Sequence, residues 1–423
     1  MDYVAGWFYR AAQLMQTRPI EAAFVATNSI TQGEQVASLW KDLIELYGIH
    51  INFAWRTFRW DSEAADMAHV HCVIIGFSTA SASQKFIFDG DKVSSASNIN
   101  AYLTDAPNVF VEPLTKPICP VSEMQAGGKP TENGNLILCA EDRRILIDKY
   151  PNVAQYIRPF MMGKDFIDRK PRYCLWFADK DSTKIIQECP EIRERIEAVK
   201  VFRLSSKKIA TRRKANTPWL FDEIRPSITD YIAIPKVSSE RRKYIPIEKL
   251  SANVIAGDNL FMVPNATAYE FGILTSSTHM AWMRAVAGRL KSDYRYSNKI
   301  VYNDFVWPAT SEDQEKKIEQ TAQAILDARA QHPEATLADL YDELTMPPDL
   351  RKAHQANDRA VLEAYGLSKD STEEEIVAHL MKLYSVKVEE LKQKELEDAA
   401  RLKAEKAAEK KRRKAEQAAA RKH

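Results

Sequence analysis

Glu21-Ala-Ala-Phe-Val-Ala-Thr-Asn-Ser29 decides how the first part of the chain is read. It is a short apolar run that closes on small polar residues, the pattern of a buried strand in a parallel sheet whose carboxyl end opens into a loop. Upstream, Tyr3, Val4, Trp7, Phe8, Ala11, Leu14 and Met15 recur at helical spacing, which predicts a helix over 2–17 that Pro19 stops. Downstream, Ser29 or Thr31 is suited to cap a second helix, with Glu34 in its first turn. Val36, Leu39, Trp40, Leu43 and Tyr47 form its apolar side, and Gly48 its exit. Two further strands, Ile49–Trp60 and Ala68–Phe77, flank the polar loop Asp61–Asp66.

The order helix, strand, helix, strand, strand is an α/β arrangement too short to stand alone. So few strands bury too little on either face, and the expectation is a domain whose earlier strands lie elsewhere. An edge left open in this way would make the isolated unit sticky.

From about residue 86 the texture changes. Prolines 107, 113, 117 and 120 and short β-like runs, Leu136–Cys139 and Arg172–Phe177, predict a mixed α+β domain of about 220 residues. A helix is expected near Thr278–Leu290, followed by a strand ending at Trp307-Pro308. After Pro308 the chain reads as all-α, with amphipathic segments at 311–331, 335–345, 349–365 and 371–384. The tail from 386 is Ala, Lys, Glu and Arg, a solvated helix or a disordered extension.

Composition excludes several classes. The 423 residues carry 60 Lys and Arg against 58 Asp and Glu, so any basic surface must come from local segregation of charge. No apolar run approaches the ~20 residues of a membrane helix, and the amino terminus has no basic segment followed by an apolar stretch. Five scattered cysteines read as reduced thiols of a cytoplasmic protein. His69-Val70-His71-Cys72 would place Cys72 across a strand from the two histidines, which argues against zinc, and no metal site is expected. Gly127-Gly128-Lys129-Pro130 lacks the phosphate-loop spacing.

The basic clusters Lys207-Lys208, Arg212-Arg213-Lys214 and Arg241-Arg242-Lys243 are interleaved with Trp219, Phe221, Tyr231 and Tyr244. Cations suit phosphates and planar side chains suit bases, so this pattern is that of a nucleic-acid surface or, equally, of an ordinary solvated face. In Lys291-Ser-Asp293 an extended chain would point both charged side chains the same way. A lysine there reads guanine and an aspartate the cytosine amino group, or the two form a surface ion pair.

Three long segments, Phe24–Val36, Phe53–Glu63 and Ala68–Phe77, resemble the later motifs of the MmeI-like DNA adenine methyltransferases. Asp2–Trp7 resembles the helix after the catalytic motif. Tyr294–Tyr302 and Leu350–Ala356 are similar to the family's recognition domain and C-terminal helical region. The resemblance implies transfer of a methyl group from S-adenosylmethionine to adenine N6 in a specific sequence of double-stranded DNA, with the adenine flipped out of the duplex. It implies an incomplete Rossmann-like sheet at 1–85, a target-recognition domain at 86–309, a helical domain at 310–385 and a charged tail at 386–423.

The resemblance also places Lys291 and Asp293 where family members exchange charged residues to change the base pair read. Arg295, Asn298, Lys299, Arg212, Arg213, Lys214, Arg241 and Arg242 are expected to contact DNA with them. The family's Asn-Pro-Pro-Phe/Tyr loop and glycine-rich cofactor motif do not occur in these residues. The expectation is therefore a chain that recognises DNA but does not bind S-adenosylmethionine or transfer methyl alone, with Asn28 and Ser29 supporting a site completed by a complementary N-terminal chain. A non-catalytic specificity subunit is the alternative.

Overall fold

The structure, a computed structural model, describes residues 1–61, 69–179 and 181–420. The polar loop expected after Asp61 falls outside them.

Helix α1 (Ala5–Met15) leads into β1 (Glu21–Thr27), α2 (Glu34–Lys41), β2 (His50–Asp61), β3 (His69–Ser78), β4 (Lys85–Asp89) and β5 (Lys92–Ala96). These strands form one sheet in the order β1-β3-β2-β4-β5. The expectation of a parallel strand needs correction. Among the described residues β1 pairs only with β3, antiparallel, with Phe24 opposite Ile75, and its other edge is free. Among the described residues of this sheet, only β2 and β4 run parallel side by side. An apolar run reports burial, not the direction of its neighbour. The sheet also continues to Ala96, beyond the boundary expected at residue 85.

One face of this sheet is covered. Phe8 of α1 packs edge-on to Phe24 at 5.2 Å and stacks on Phe77 at 5.2 Å, while the Trp40 indole of α2 donates to the Ile30 carbonyl. The opposite face leaves Phe53, Trp55, Phe86 and Val93 more than a third exposed, with Trp55 stacked on Phe88. Neither Ser29 nor Thr31 caps α2. Both lie in a 3-10 turn, and Gly33, at φ +59°, precedes the helix without a side-chain cap.

The α+β region contains two bodies rather than one. A small lobe holds β7 (Ile137–Leu138), α3 (Ala140–Lys149), β8 (Ile157–Met161), α4 (Gly163–Ile167), β9 (Arg172–Leu175), α5 (Thr183–Glu188), α6 (Pro190–Leu204) and α7 (Ile209–Arg213). It has its own core of Leu136, Phe160, Trp176, Ile192, Val199 and Phe221. β13 (Ile255–Ala256) pairs parallel with β8 and completes the lobe's sheet. The remainder comprises β6 (Gln125–Ala126), β10 (Tyr231–Pro235), β11 (Val237–Ser238), β12 (Glu248–Leu250), β14 (Leu260–Pro264), α8 (Ala268–Leu274), α9 (Ser277–Val286), β15 (Gly288–Leu290) and β16 (Asp293–Arg295). A β-carbon on Gly127 would lie 2.3 Å from the Gly257 carbonyl, so this glycine lets two backbones cross and cradles no phosphate.

The helical region holds α10 (Glu312–Ala330), α11 (Leu337–Leu340), α12 (Pro348–Ala364) and α13 (Glu373–Ala420). A single apolar core runs from Ala5 to Tyr384 through the first sheet, β10, β14, α9 and these helices. Polar ties cross it. Buried Arg329 of α10 donates to the Ile247 carbonyl at 2.6 Å, and Tyr244 donates to Asp358 of α12 at 2.7 Å. The segment expected to be a strand up to Trp307 is instead a π-helical turn at Asn298–Tyr302 followed by coil. Ile300, Val301 and Tyr302 are all buried there, which a two-sided alternation would not allow.

Candidate nucleic-acid interface

The carboxyl end of β1 and the β15–β16 hairpin face each other across a cleft. Two backbones make this approach possible. The Gly33 amide donates to the Val286 carbonyl at 3.2 Å, and a β-carbon on Gly33 would lie 3.2 Å from the Gly288 Cα. The contact sets Asn28 and Ser29, just after β1, opposite the hairpin.

The cleft consists of two adjoining cavities of about 580 and 550 Å³ that share Asn28, Arg289 and Lys291. Lys236, Arg295 and Asn298 line the first, and Arg59, His71 and Arg241 the second. Six cations thus face two carboxylates, Glu34 and Glu240. This surface favours a polyanion.

The hairpin is tightly built. Gly288 pairs with Arg295 and Leu290 with Asp293, leaving Lys291-Ser292 as a two-residue turn. Lys291 adopts φ +58°, so the segment is not the extended stretch that would align its side chain with that of Asp293. The correction has a simple cause, since a two-residue reversal between paired strands needs a left-handed residue. Lys291 reaches both cavities, whereas Asp293 is half-buried beside Arg242. Arg289 stacks its guanidinium 3.8 Å from the centre of the Tyr294 ring and donates to the Ser292 carbonyl at 2.8 Å, which stiffens the turn. The Lys236 ammonium lies over the Phe261 ring at 4.7 Å, and burial lowers its pKa.

Of the residues singled out in the sequence, Asn28, Ser29, Lys291, Arg295, Asn298 and Arg241 line this cleft. Ser29 is already engaged, donating to Asp2 at 2.7 Å, and the Gln35 and Ser29 donors hold the Asp2 carboxyl below its ordinary pKa. Arg242 is half-buried and turned to Asp293 and Asp342, with burial lowering its pKa. Lys299 does not line the cleft, and its carbonyl accepts from Leu114. Arg212, Arg213 and Lys214 lie on α7 and the turn after it, in the small lobe, so the three basic clusters are not one patch. The helix expected to reach Leu290 ends at Val286, and Gly288–Leu290 become instead the first strand of the hairpin.

Sequence reasoning missed Lys236, Arg289, Gln32, Arg59 and His71. Arg59 and His71 are register partners on β2 and β3, a relation visible only once the two strands are paired. His71 lines the cleft while Cys72 is buried, and no cluster of metal-binding side chains occurs among the described residues. These lining groups do not fit S-adenosylmethionine, whose sulfonium is cationic. No helix among the described residues is long and apolar enough to cross a membrane.

Residues 1–89 match the model for the MmeI DNA-methyltransferase domain, 105–309 that for the MmeI target recognition domain, and 310–392 that for the MmeI C-terminal domain. DNA methyltransferase A of Bacillus subtilis (strain 168) is 39% identical over 385 residues, covering 91% of this chain and 44% of its own length. The structure of the type IIL restriction-modification enzyme MmeI in complex with DNA has 43% sequence identity and a TM-score of 0.85, covering 92% of this chain and 53% of its own. The chain thus spans about half the length of these relatives. By three matched domains that follow one another along nearly its whole sequence, the chain belongs to the MmeI family.

Proposed function

We propose that these residues form the target-recognition part and the rear sheet of a site-specific DNA methyltransferase, which carries methyl from S-adenosylmethionine to adenine N6. The observation that carries this reading is the cationic cleft between Asn28 and the Lys291 hairpin. Duplex DNA held there would lie against the recognition hairpin and the end of β1 at once. Arg241, Arg289 and Arg295 would hold phosphates, and Lys291 at the hairpin tip would read a base edge. Glycine-rich and Asn-Pro-Pro-Phe/Tyr segments are not among these residues, so the methyl donor and the group that orients the flipped adenine belong to a complementary N-terminal segment. The free edge of β1 and the uncovered face around Phe53 and Trp55 are the surfaces such a segment would cover.

Two measurements test this. Selection from a random duplex library should yield one preferred site, and Lys291→Ala should weaken preference at a single base pair about 10- to 100-fold while leaving bulk DNA binding intact. Adding a polypeptide with the two missing motifs should then produce N6-methyladenine in that site. Selection without a preferred site would sink the reading. Site preference with no methylation after that addition would favour the non-catalytic specificity subunit.

A further inference from the structure

Helix α13 continues without a break from Glu373 to Ala420, well past residue 392, where the match to the C-terminal domain stops. Up to Tyr384 it is part of the core, through Ile376, Val377, Leu380 and Met381. Residues 392–406 are exposed without exception, so the helix leaves the body of the protein and projects by about 40 Å at 1.5 Å per residue. Beyond Leu391 its only large apolar residues are Leu396 and Leu402, both at least half exposed. A helix without an apolar seam has nothing with which to form a coiled coil or enter a lipid surface.

Its charge is segregated. Residues 387–402 carry four cations and five anions, and residues 403–414 carry seven cations and two anions. Lys403, Lys406, Lys410 and Lys414 follow at spacings of three, four and four, one side of a helical projection. Glu405, two residues after Lys403, falls on the opposite side. A straight row of four lysines spanning about 16 Å matches two to four phosphates of a duplex.

We propose that this basic side of the projecting helix is a sequence-independent anchor on duplex DNA, binding backbone phosphates outside the recognised site. The proposal rests on the DNA-binding reading of the cleft. It gives the chain a second electrostatic contact, which raises local DNA concentration without selecting sequence.

The test compares the full chain with the quadruple variant Lys403→Gln, Lys406→Gln, Lys410→Gln and Lys414→Gln. Binding to a 40-base-pair random-sequence duplex is titrated from 50 to 300 mM salt. The logarithmic salt slope should shrink by about 2–4 in magnitude and affinity at 100 mM salt should fall about 10- to 100-fold, with an unchanged melting temperature and site preference. The matching Lys→Arg variant should keep the slope. An unchanged slope in a chain that still prefers one site overturns the anchor alone. Absence of any site preference in both proteins overturns the underlying reading instead. Loss of binding to vesicles rich in anionic lipid, with DNA binding intact, would also overturn the anchor in favour of a membrane surface.

Discussion

Lys291 occupies the first turn position of its hairpin with φ +58°, while Ser292 has no positive φ, the pattern of a type II′ turn. That position favours glycine, because a β-carbon there crowds the following carbonyl by about 1 kcal/mol. A lysine is therefore kept at a cost in stability, which is reasonable where its charge faces the cleft. Lys291→Gly should leave stability unchanged or raise it by about 0.5–1 kcal/mol in urea denaturation, while reducing discrimination at one base pair. A loss of stability would show that Lys291 is held by contacts rather than by function. Asp304 is the second informative residue. It is fully buried, neither carboxylate oxygen has a hydrogen bond in good geometry, and burial pushes its pKa up to about 8 against only a partial pull from the Tyr384 hydroxyl. The folded state then holds a proton that the unfolded state releases near 3.8, so this residue makes stability fall as pH rises from about 4 to about 8. His279, neutral when buried with its pKa down to about 3, acts oppositely below about 6.5. Asp304→Asn should thus match the parent near pH 4 and exceed it progressively to pH 8, by thermal melts of both proteins. Parallel curves across that range would contradict a protonated Asp304.

At the scale of elements, helices were more legible than strands. α1, α10 and α12 announce themselves by apolar residues at helical spacing, and the structure keeps each within a few residues of the expected span. The β15–β16 hairpin was invisible because its strands are three residues long and exist through pairing with each other and of β16 with β11, not through pattern. The same limit hid half of the cleft. Arg289, Lys291 and Arg295 stand in one short segment, but Lys236 joins them only when the chain after β10 meets β16, the Tyr296 amide donating to the Lys236 carbonyl at 2.9 Å. The small lobe offers a test of element stability through Arg203 of α6, which is fully buried. Its five donors reach the carbonyls of Pro130, Thr131, Lys214, Thr217 and Leu220 at 2.7–3.1 Å, so one side chain ties three segments. Arg203→Lys keeps the charge but offers at most three donors, and should destabilise the lobe by about 2–4 kcal/mol. Hydrogen exchange should quicken in β7, β8, β9 and α6 while β10 and β14 keep their protection. Equal loss in both sets would mean the lobe does not unfold separately.

The molecule as a whole is divided differently from its matched domains. The first sheet, β10, β14, α9 and the C-terminal helices share one apolar core, whereas the lobe inside the recognition domain has another. The C-terminal helices are therefore structural members of the recognition sheet, not an appendage to it. Arg284 at the end of α9 donates through Nε and Nη2 to the two carboxylate oxygens of Glu373 of α13, both at 2.7 Å, next to the backbone leading into the hairpin. Removing 310–423 would break that pair, strip Arg329 from the Ile247 carbonyl and Asp358 from Tyr244, and uncover Phe271, Trp282 and Ile247. Each of these large side chains stabilises by about 1.5–3 kcal/mol when buried, a sum comparable with the whole stability of a domain. A chain ending at Ala309 should accordingly lose cooperative melting in the first sheet and in β10 and β14, and with it the DNA preference of the cleft. The small lobe, with its own core, should remain protected in hydrogen exchange. A truncated chain that melts cooperatively within a few degrees of the full one would show instead that the recognition sheet is self-sufficient and that the shared core is only contact.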